Sequence, residues 1–265
     1  MRRWLVLLGC FVGMALSTPA ILMQPLGLFL KSMTAEFGWS RTTFSSVVAM
    51  ASLANIIILP IAGYLVDRFG PRRIVAVGVV LGCASYAALS LANTYGQLIA
   101  LVMIAVAAGN LASYPAFMSL AQRWFDKRLG FALAITSTGL AVGVAAFSFL
   151  ITQTIAASGW RAAFVTVAAV ALVIGLINVT FLVRDSETAG AGQPIDRAAM
   201  DDGSYGAALK SGDFWLYTSA FTLIIFGVVA CNFHLPALLS DRSAPTRSTA
   251  SALAVTFCAA AALGL

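Results

Sequence analysis

The chain has 265 residues, of which 60% are hydrophobic and only 10% charged, and its mean hydropathy is +0.93; an ordinary soluble domain carries about 25% charged residues. That balance excludes a soluble globular domain and leaves a membrane chain. The net charge of +6 does not indicate a nucleic-acid binder, because the Lys and Arg residues occupy short gaps between apolar runs and are not gathered on one face of a folded domain.

A membrane-crossing helix needs about 20 mostly apolar residues. That length divides the sequence into spans at 4–30, 43–66, 74–92, 97–122, 130–157, 160–183 and 213–238, with an eighth run from Thr249 to Leu265 that is roughly three residues short of a full span. The first run opens with Met1-Arg2-Arg3 and contains Leu7-Leu8-Gly9-Cys10, which imitates a lipoprotein leader. The apolar stretch before Cys10 is too short for such a leader, and apolar character continues to Leu30, so an uncleaved first helix is expected.

The gaps are polar or turn-like: Lys31 to Arg41, Asp67 to Arg73, Asn93 to Gln97, Arg123 to Arg128, Ser158 to Arg161, Arg184 to Gly212, and Ser240 to Thr249. With the N-terminus inside, the inner gaps hold Arg2, Arg3, Arg68, Arg72, Arg73, Arg123, Lys127, Arg128, Arg184, Arg197 and Lys210, and only Lys31, Arg41, Arg161, Arg242 and Arg247 lie outside. Basic residues concentrate in short cytoplasmic loops, so a cytoplasmic N-terminus in a multi-pass inner or plasma membrane protein is predicted. The stretch 184–212 holds Asp185, Glu187, Asp196, Asp201 and Asp202 among Gly, Ala, Ser and Pro. It cannot bury a core and is expected to be a flexible cytoplasmic linker. The predicted organisation is a six-helix bundle over 1–183, the linker 184–212, and the start of a second bundle over 213–265.

Between the second and third spans lies Gly63-Tyr64-Leu65-Val66-Asp67-Arg68-Phe69-Gly70-Pro71-Arg72-Arg73. Gly63 permits close helix packing, Gly70 and Pro71 suit a tight turn, and Asp67 can accept charge-assisted hydrogen bonds from its own loop or from neighbouring helix termini. The segment resembles the G-x-L-x-D-R-x-G-x-R-R signature of the major facilitator superfamily. The resemblance implies an all-α membrane fold, with a six-helix N-terminal bundle here followed by the first one or two helices of a C-terminal bundle. It also implies that Gly63, Asp67, Arg68, Gly70, Arg72 and Arg73 form a latch holding the two bundles in the outward-facing state, with Asp67 and Arg72 in an ion-pair network.

Three further segments, Phe37-Gly38-Trp39-Ser40-Arg41, Trp124-Phe125-Asp126-Lys127-Arg128-Leu129-Gly130 and Gly159-Trp160-Arg161, resemble the pattern of the monocarboxylate and oxalate–formate porters, with Leu129 where a second basic residue is usual. Ser40 is placed to N-cap the second helix, and Trp39, Trp124 and Trp160 fall at span ends, where indole rings anchor in the membrane interface. The Gly9/Gly13, Gly78/Gly82 and Gly139/Gly143 pairs have the G-x-x-x-G spacing of close helix packing.

No Asp, Glu, Lys or Arg falls deep within a predicted span, so candidate substrate contacts are polar but neutral. Asn110, Ser113 and Tyr114 share one face of the fourth span beside Pro115; Thr18 and Gln24 flank Pro19 and Pro25; Thr136, Ser137 and Thr138 lie on the fifth span; and His234 precedes Pro236. The substrate-binding candidates are Gln24, Asn110, Tyr114 and His234; bonding from one helix to another is the competing role for such residues. His234 is the only histidine and a candidate for a substrate carboxylate or for proton coupling.

The expected function is secondary active transport of small organic anions, monocarboxylate-like, by alternating access, with the proton as candidate coupling ion and the bilayer as the other partner. The alternatives are a truncated, inactive transporter fragment or a transporter of another small solute, a neutral metabolite or a drug. No cofactor, metal or nucleotide is expected: Cys10, Cys83, Cys231 and Cys258 lack metal or redox spacing, and no phosphate-binding loop is present. An intramembrane enzyme is poorly supported, because one histidine and no intramembrane carboxylate supply neither a nucleophile–base pair nor a ligand cluster. By resemblance, the basic residue that pairs the substrate carboxylate lies near the end of the eighth span or beyond Leu265, and residues 1–265 alone are expected not to transport.

Overall fold

A computed structural model describes residues 2–125, 128–183, 211–223, 226 and 227. His234, Cys231, Cys258, most of the linker and the predicted eighth span lie outside the described residues. Five stretches are long and apolar enough to cross a membrane: Arg3–Met23, Thr42–Phe69, Pro71–Leu91, Tyr95–Trp124 and Leu129–Leu182. The last has 54 residues and would extend about 80 Å at 1.5 Å per residue, more than twice the roughly 30 Å hydrocarbon core. Gly159, at φ 83° and ψ 172°, breaks it into two passes. That conformation is open to glycine at little cost, and six passes result among the described residues.

The first pass is discontinuous. Helix α1 (Arg2–Ala15) gives way to a π turn over Pro19–Met23, a 3-10 turn over Pro25–Phe29 and helix α2 (Leu30–Phe37). Pro19 and Pro25 each begin a new turn, where the missing N–H has no helical partner to lose. The region 31–37, expected as a loop, is helical instead. The Thr34 hydroxyl donates back to the Leu30 carbonyl at 2.7 Å, and Gly38, at φ 67°, closes the helix by donating its N–H to the Thr34 carbonyl at 3.0 Å.

Helix α3 (Arg41–Phe69) starts as predicted, with the Thr43 N–H donating to Ser40 Oγ at 3.0 Å. Gly70 at φ 85° turns the chain into α4 (Pro71–Ala88), with Pro71 at its first position. The fourth predicted span is really two helices, α5 (Tyr95–Asn110) and α6 (Tyr114–Trp124). Ser113 is extended and Pro115 sits in the first turn of α6, where its missing N–H costs no helical bond. Helix α7 (Leu129–Ile177) carries the Gly159 break and ends in a π turn over Asn178–Leu182. Residues 212–223 begin another helix, whose side chains, Phe214, Trp215, Leu216 and Tyr217 among them, are exposed.

Glycine pairs set the crossing of α1 and α7. A Cβ on Gly139 would lie 2.1 Å from the Phe11 carbonyl oxygen, and one on Gly143 would lie 2.1 Å from that of Ala15. Because the obstacles are backbone atoms one turn apart, no side-chain rearrangement could make room, and only hydrogen allows the helices this close. The core around that seam is aromatic: Phe29 stacks on Phe164 with centroids 4.2 Å apart, and the edge of Tyr86 meets Phe164 at 5.2 Å. The Tyr86 hydroxyl donates to the Ile21 carbonyl at 2.9 Å, and Asn178 Nδ2 donates to the Gly9 carbonyl at 3.0 Å. Both bonds tie the first pass to other passes of the bundle.

Candidate functional site

The first-pass break places Gln24 where the π turn meets the 3-10 turn, half-buried, its side chain making no hydrogen bond to any described residue. Its N–H donates to the Pro19 carbonyl at 3.0 Å, so the backbone there is satisfied and the amide is left free. Ala20, one turn earlier, packs on Ala141 and Val144 of α7. One turn before Ala141 on the same helix is Ser137, 3.4 Å from the hydroxyl of Tyr114. Tyr114 is 45% exposed. The first-pass break, the start of α6 and one stripe of α7 therefore contribute to a polar-edged seam, with Gln24 and Tyr114 retaining unused hydrogen-bonding capacity.

Asn110 is placed differently. It is 4% exposed, and its Nδ2 donates to Asn55 Oδ1 at 2.6 Å, joining α5 to the middle of α3. Asn55 lies on the stripe of α3 that also carries the buried Phe44, Val47, Ala51, Ala62 and Val66. Asn110 thus bridges two helices, and it does not share a face with Tyr114, because the non-helical residues between α5 and α6 break the register. Thr136, Ser137 and Thr138 each donate back to their own helix, to the carbonyls of Ala132, Leu133 and Ala134. His234 lies outside the described residues.

At one end of α3, Tyr64, Asp67, Arg68 and Phe69 are exposed. Arg68 donates to the Tyr64 hydroxyl at 3.0 Å and packs over Phe69 with its guanidinium carbon 5.4 Å from the ring centre. Among the described residues Asp67, Arg72 and Arg73 have no ion-pair partner, so the Asp67 carboxylate is not held by its own loop. Nothing lies within 4 Å of where a Cβ on Gly63 would sit; the close packing expected of it is not made within the described bundle.

The opposite end of α3 carries a cluster that the sequence motifs marked without explaining. Trp160 Nε1 donates to Glu36 Oε2 at 2.5 Å, Arg161 pairs with the other Glu36 oxygen, and Arg161 Nη2 donates to Asn93 Oδ1 at 3.2 Å. The bonds from Arg161 and Trp160 hold the Glu36 carboxyl below its ordinary range. Phe37 stacks on Trp39 at 4.4 Å and meets Trp160 edge-on at 5.9 Å, while Trp39 meets Tyr95 at 5.8 Å. Trp160 is 4% exposed, so it is a core residue of this clamp and not an interface anchor. Glu36 escaped notice in the sequence because its partners are 124 and 125 positions away.

A family model described as Major Facilitator Superfamily matches residues 5–265. The chain is 29% identical over 237 residues to the oxalate:formate antiporter of Oxalobacter formigenes, covering 85% of this chain and 53% of that protein. It is 25% identical over 242 residues to monocarboxylate transporter 13 of Bos taurus, covering 90% and 54%, and 27% identical over 184 residues to the hexuronate transporter of Escherichia coli strain K12, covering 68% and 41%. The chain thus spans about half the length of the curated relatives it matches. Among solved structures it resembles a tetrameric PepTSo2, with TM-score 0.58 and 18% identity over 89% of this chain and 55% of that one. It also resembles a D-xylose–proton symporter, with TM-score 0.58 and 16% identity over 96% and 64%. At those identities the structures establish the fold: an all-α, multi-pass membrane architecture.

Proposed function

The chain belongs to the major facilitator superfamily, and from that premise we propose that it serves secondary active transport of small organic anions, monocarboxylate-like, by alternating access. One observation carries the substrate class. Several of the relatives that align with most of this chain are named for oxalate and formate, for monocarboxylates and for hexuronate, solutes that differ in size and share a carboxylate. The porter-like motifs give it physical support, since Phe37, Trp39, Trp160 and Arg161 assemble with Glu36 into one clamp.

In this reading the bundle 1–183 forms one wall of a midplane site, 184–212 links it to a second bundle beginning at 213, and the N-terminus is cytoplasmic in the inner or plasma membrane. Gln24 and Tyr114 supply neutral hydrogen bonds to the anion, Asn110 supports them through Asn55, and His234 pairs with the carboxylate or carries the coupling proton. Gly63, Asp67, Arg68, Gly70, Arg72 and Arg73 form the latch to the second bundle; the lack of an ion-pair partner for Asp67 among the described residues suits that role. The chain works as a transporter and not as an enzyme.

Uptake of radiolabelled formate, oxalate, acetate, lactate and pyruvate into vesicles carrying residues 1–265 together with a complete second bundle tests this. Saturable uptake of one carboxylate, competed by others, is the expected result. Saturable uptake of a neutral solute that none of them competes would overturn the assignment.

A further inference from the structure

Inside the bundle, apart from the seam at Gln24 and Tyr114, lies a cavity of about 30 Å³. It runs along α4 from Gly78 past Gly82 and Cys83 to Tyr86, and is closed by Thr18 and Ile21 of the first-pass break, Gly109 of α5 and Asn178 at the end of α7. Its walls are mostly apolar, but two buried polar atoms on its lining have no hydrogen-bond partner: Thr18 Oγ1 and Asn178 Oδ1. Thr18 is 4% exposed and Asn178 2%. A buried polar atom left without a partner is costly, because it has given up water and gained nothing in return.

The two lie at different levels of the seam. Asn178 holds the Gly9 carbonyl through its Nδ2, nine positions from Thr18 along the first pass and so about 13 Å away at helical rise. Thr18 Oγ1 lies against α5, 2.3 Å from where a Cβ on Gly109 would be. A single bridging molecule therefore cannot serve both. A water needs about 10–15 Å³ of such space and two or more polar partners, so the cavity has volume for about two.

We propose that this cavity is an internal hydration site, holding water at Thr18. That water takes the Thr18 hydroxyl and a carbonyl of the turn before Pro19, whose ring nitrogen has no hydrogen to give it. The wet seam runs beside the interrupted first pass, where hydrogen bonds can be exchanged with water when the two halves change angle. A dry seam would have to break them outright.

The two described cysteines allow a comparison within one chain. Cys83 lines the cavity, whereas Cys10 is fully buried and does not. Synchrotron hydroxyl-radical footprinting of the protein in lipid nanodiscs, read by mass spectrometry, should label Cys83 at least tenfold faster than Cys10, because radicals form from water already in the cavity. Thr18→Val keeps the side-chain shape and removes the hydroxyl; it should bring the Cys83 rate close to that of Cys10 while the melting temperature stays in the folded range. Equal rates in the wild type, or a Cys83 rate unchanged by Thr18→Val in folded protein, would overturn the proposal.

Discussion

The indole of Trp160 donates a 2.5 Å hydrogen bond to the carboxylate of Glu36 across 124 positions of sequence. The neighbouring Arg161 takes the other carboxylate oxygen and lies with its guanidinium carbon 4.2 Å from the Trp160 ring centre. The Gly159 break brings this pair to the end of α2, and Asn93, at the turn from α4 to α5, is held by the same arginine. One clamp thus joins three chain crossings at one end of the bundle.

Because Arg161 and Trp160 lower the Glu36 pKa from its ordinary 4.5, the carboxylate binds fewer protons in the folded than in the unfolded chain. Its contribution to stability is present above about pH 4.5 and is lost as the pH falls through the lowered folded value. Melting temperature followed from pH 7 to pH 3 should therefore drop at the acid end in the wild type. In Glu36→Gln it should start lower at pH 7 and lose that part of the acid dependence; identical curves would remove the clamp from the account of stability.

Gly139→Ala and Gly143→Ala should be strongly destabilising, by at least the roughly 1–3 kcal/mol of overpacking, because each new methyl would meet a backbone oxygen at 2.1 Å. Size-exclusion chromatography of detergent-solubilised protein should show loss of the monodisperse peak. A folded Gly143→Ala variant with an unchanged melting temperature would mean that α1 and α7 do not cross as described.

Gly63→Ala should do the opposite, since nothing surrounds that position among the described residues. Stability is expected to change by less than about 0.5 kcal/mol, while uptake falls sharply in both Gly63→Ala and Asp67→Asn if the latch reading holds. Normal uptake by both variants, with normal surface expression, would refute the latch.

The Asn55–Asn110 bond should appear as coupling. Melting of Asn55→Ala, Asn110→Ala and the double variant should give an interaction of about 0.6 kcal/mol, and at most about 1.7 kcal/mol, by comparison with polar pairs in other membrane bundles. Strictly additive losses would mean that the two amides act independently.

Gln24→Ala, which breaks no side-chain bond to a described residue, and Tyr114→Phe, which loses only the long 3.4 Å bond to Ser137, should instead raise the KM for the carboxylate several-fold with little change in melting temperature. An unchanged KM in both would remove them from the substrate site. His234→Ala should alter uptake or its pH dependence, and a variant matching the wild type in both would exclude that histidine from coupling.

Much of the fold was legible in the sequence, because a bilayer imposes a length and an apolar composition that local residues alone must satisfy. The six passes of 1–183, the Ser40 cap and the turn at Gly70 and Pro71 all follow from neighbours within a few positions. The candidate site was less legible. The asparagine read as a substrate contact is paired with Asn55, half a bundle away in sequence, whereas the Gln24 side chain makes no hydrogen bond to any described residue. A helix through 31–37 was hidden because Lys31 and Glu36 look like loop charges until Glu36 is seen to have a partner.

Taken by itself, the sequence determined the membrane class, the six passes of 1–183, the superfamily and the places where helices must break, since each depends on composition or on motifs within a dozen residues. Only the tertiary structure decided which glycines are indispensable, which amides are already spoken for, and that Glu36, Trp160 and Arg161 act as one unit. Those outcomes depend on which helix faces meet. Such pairings join residues up to 169 positions apart, as Asn178 and Gly9 are, and they are fixed by close packing of whole surfaces, which no local pattern encodes.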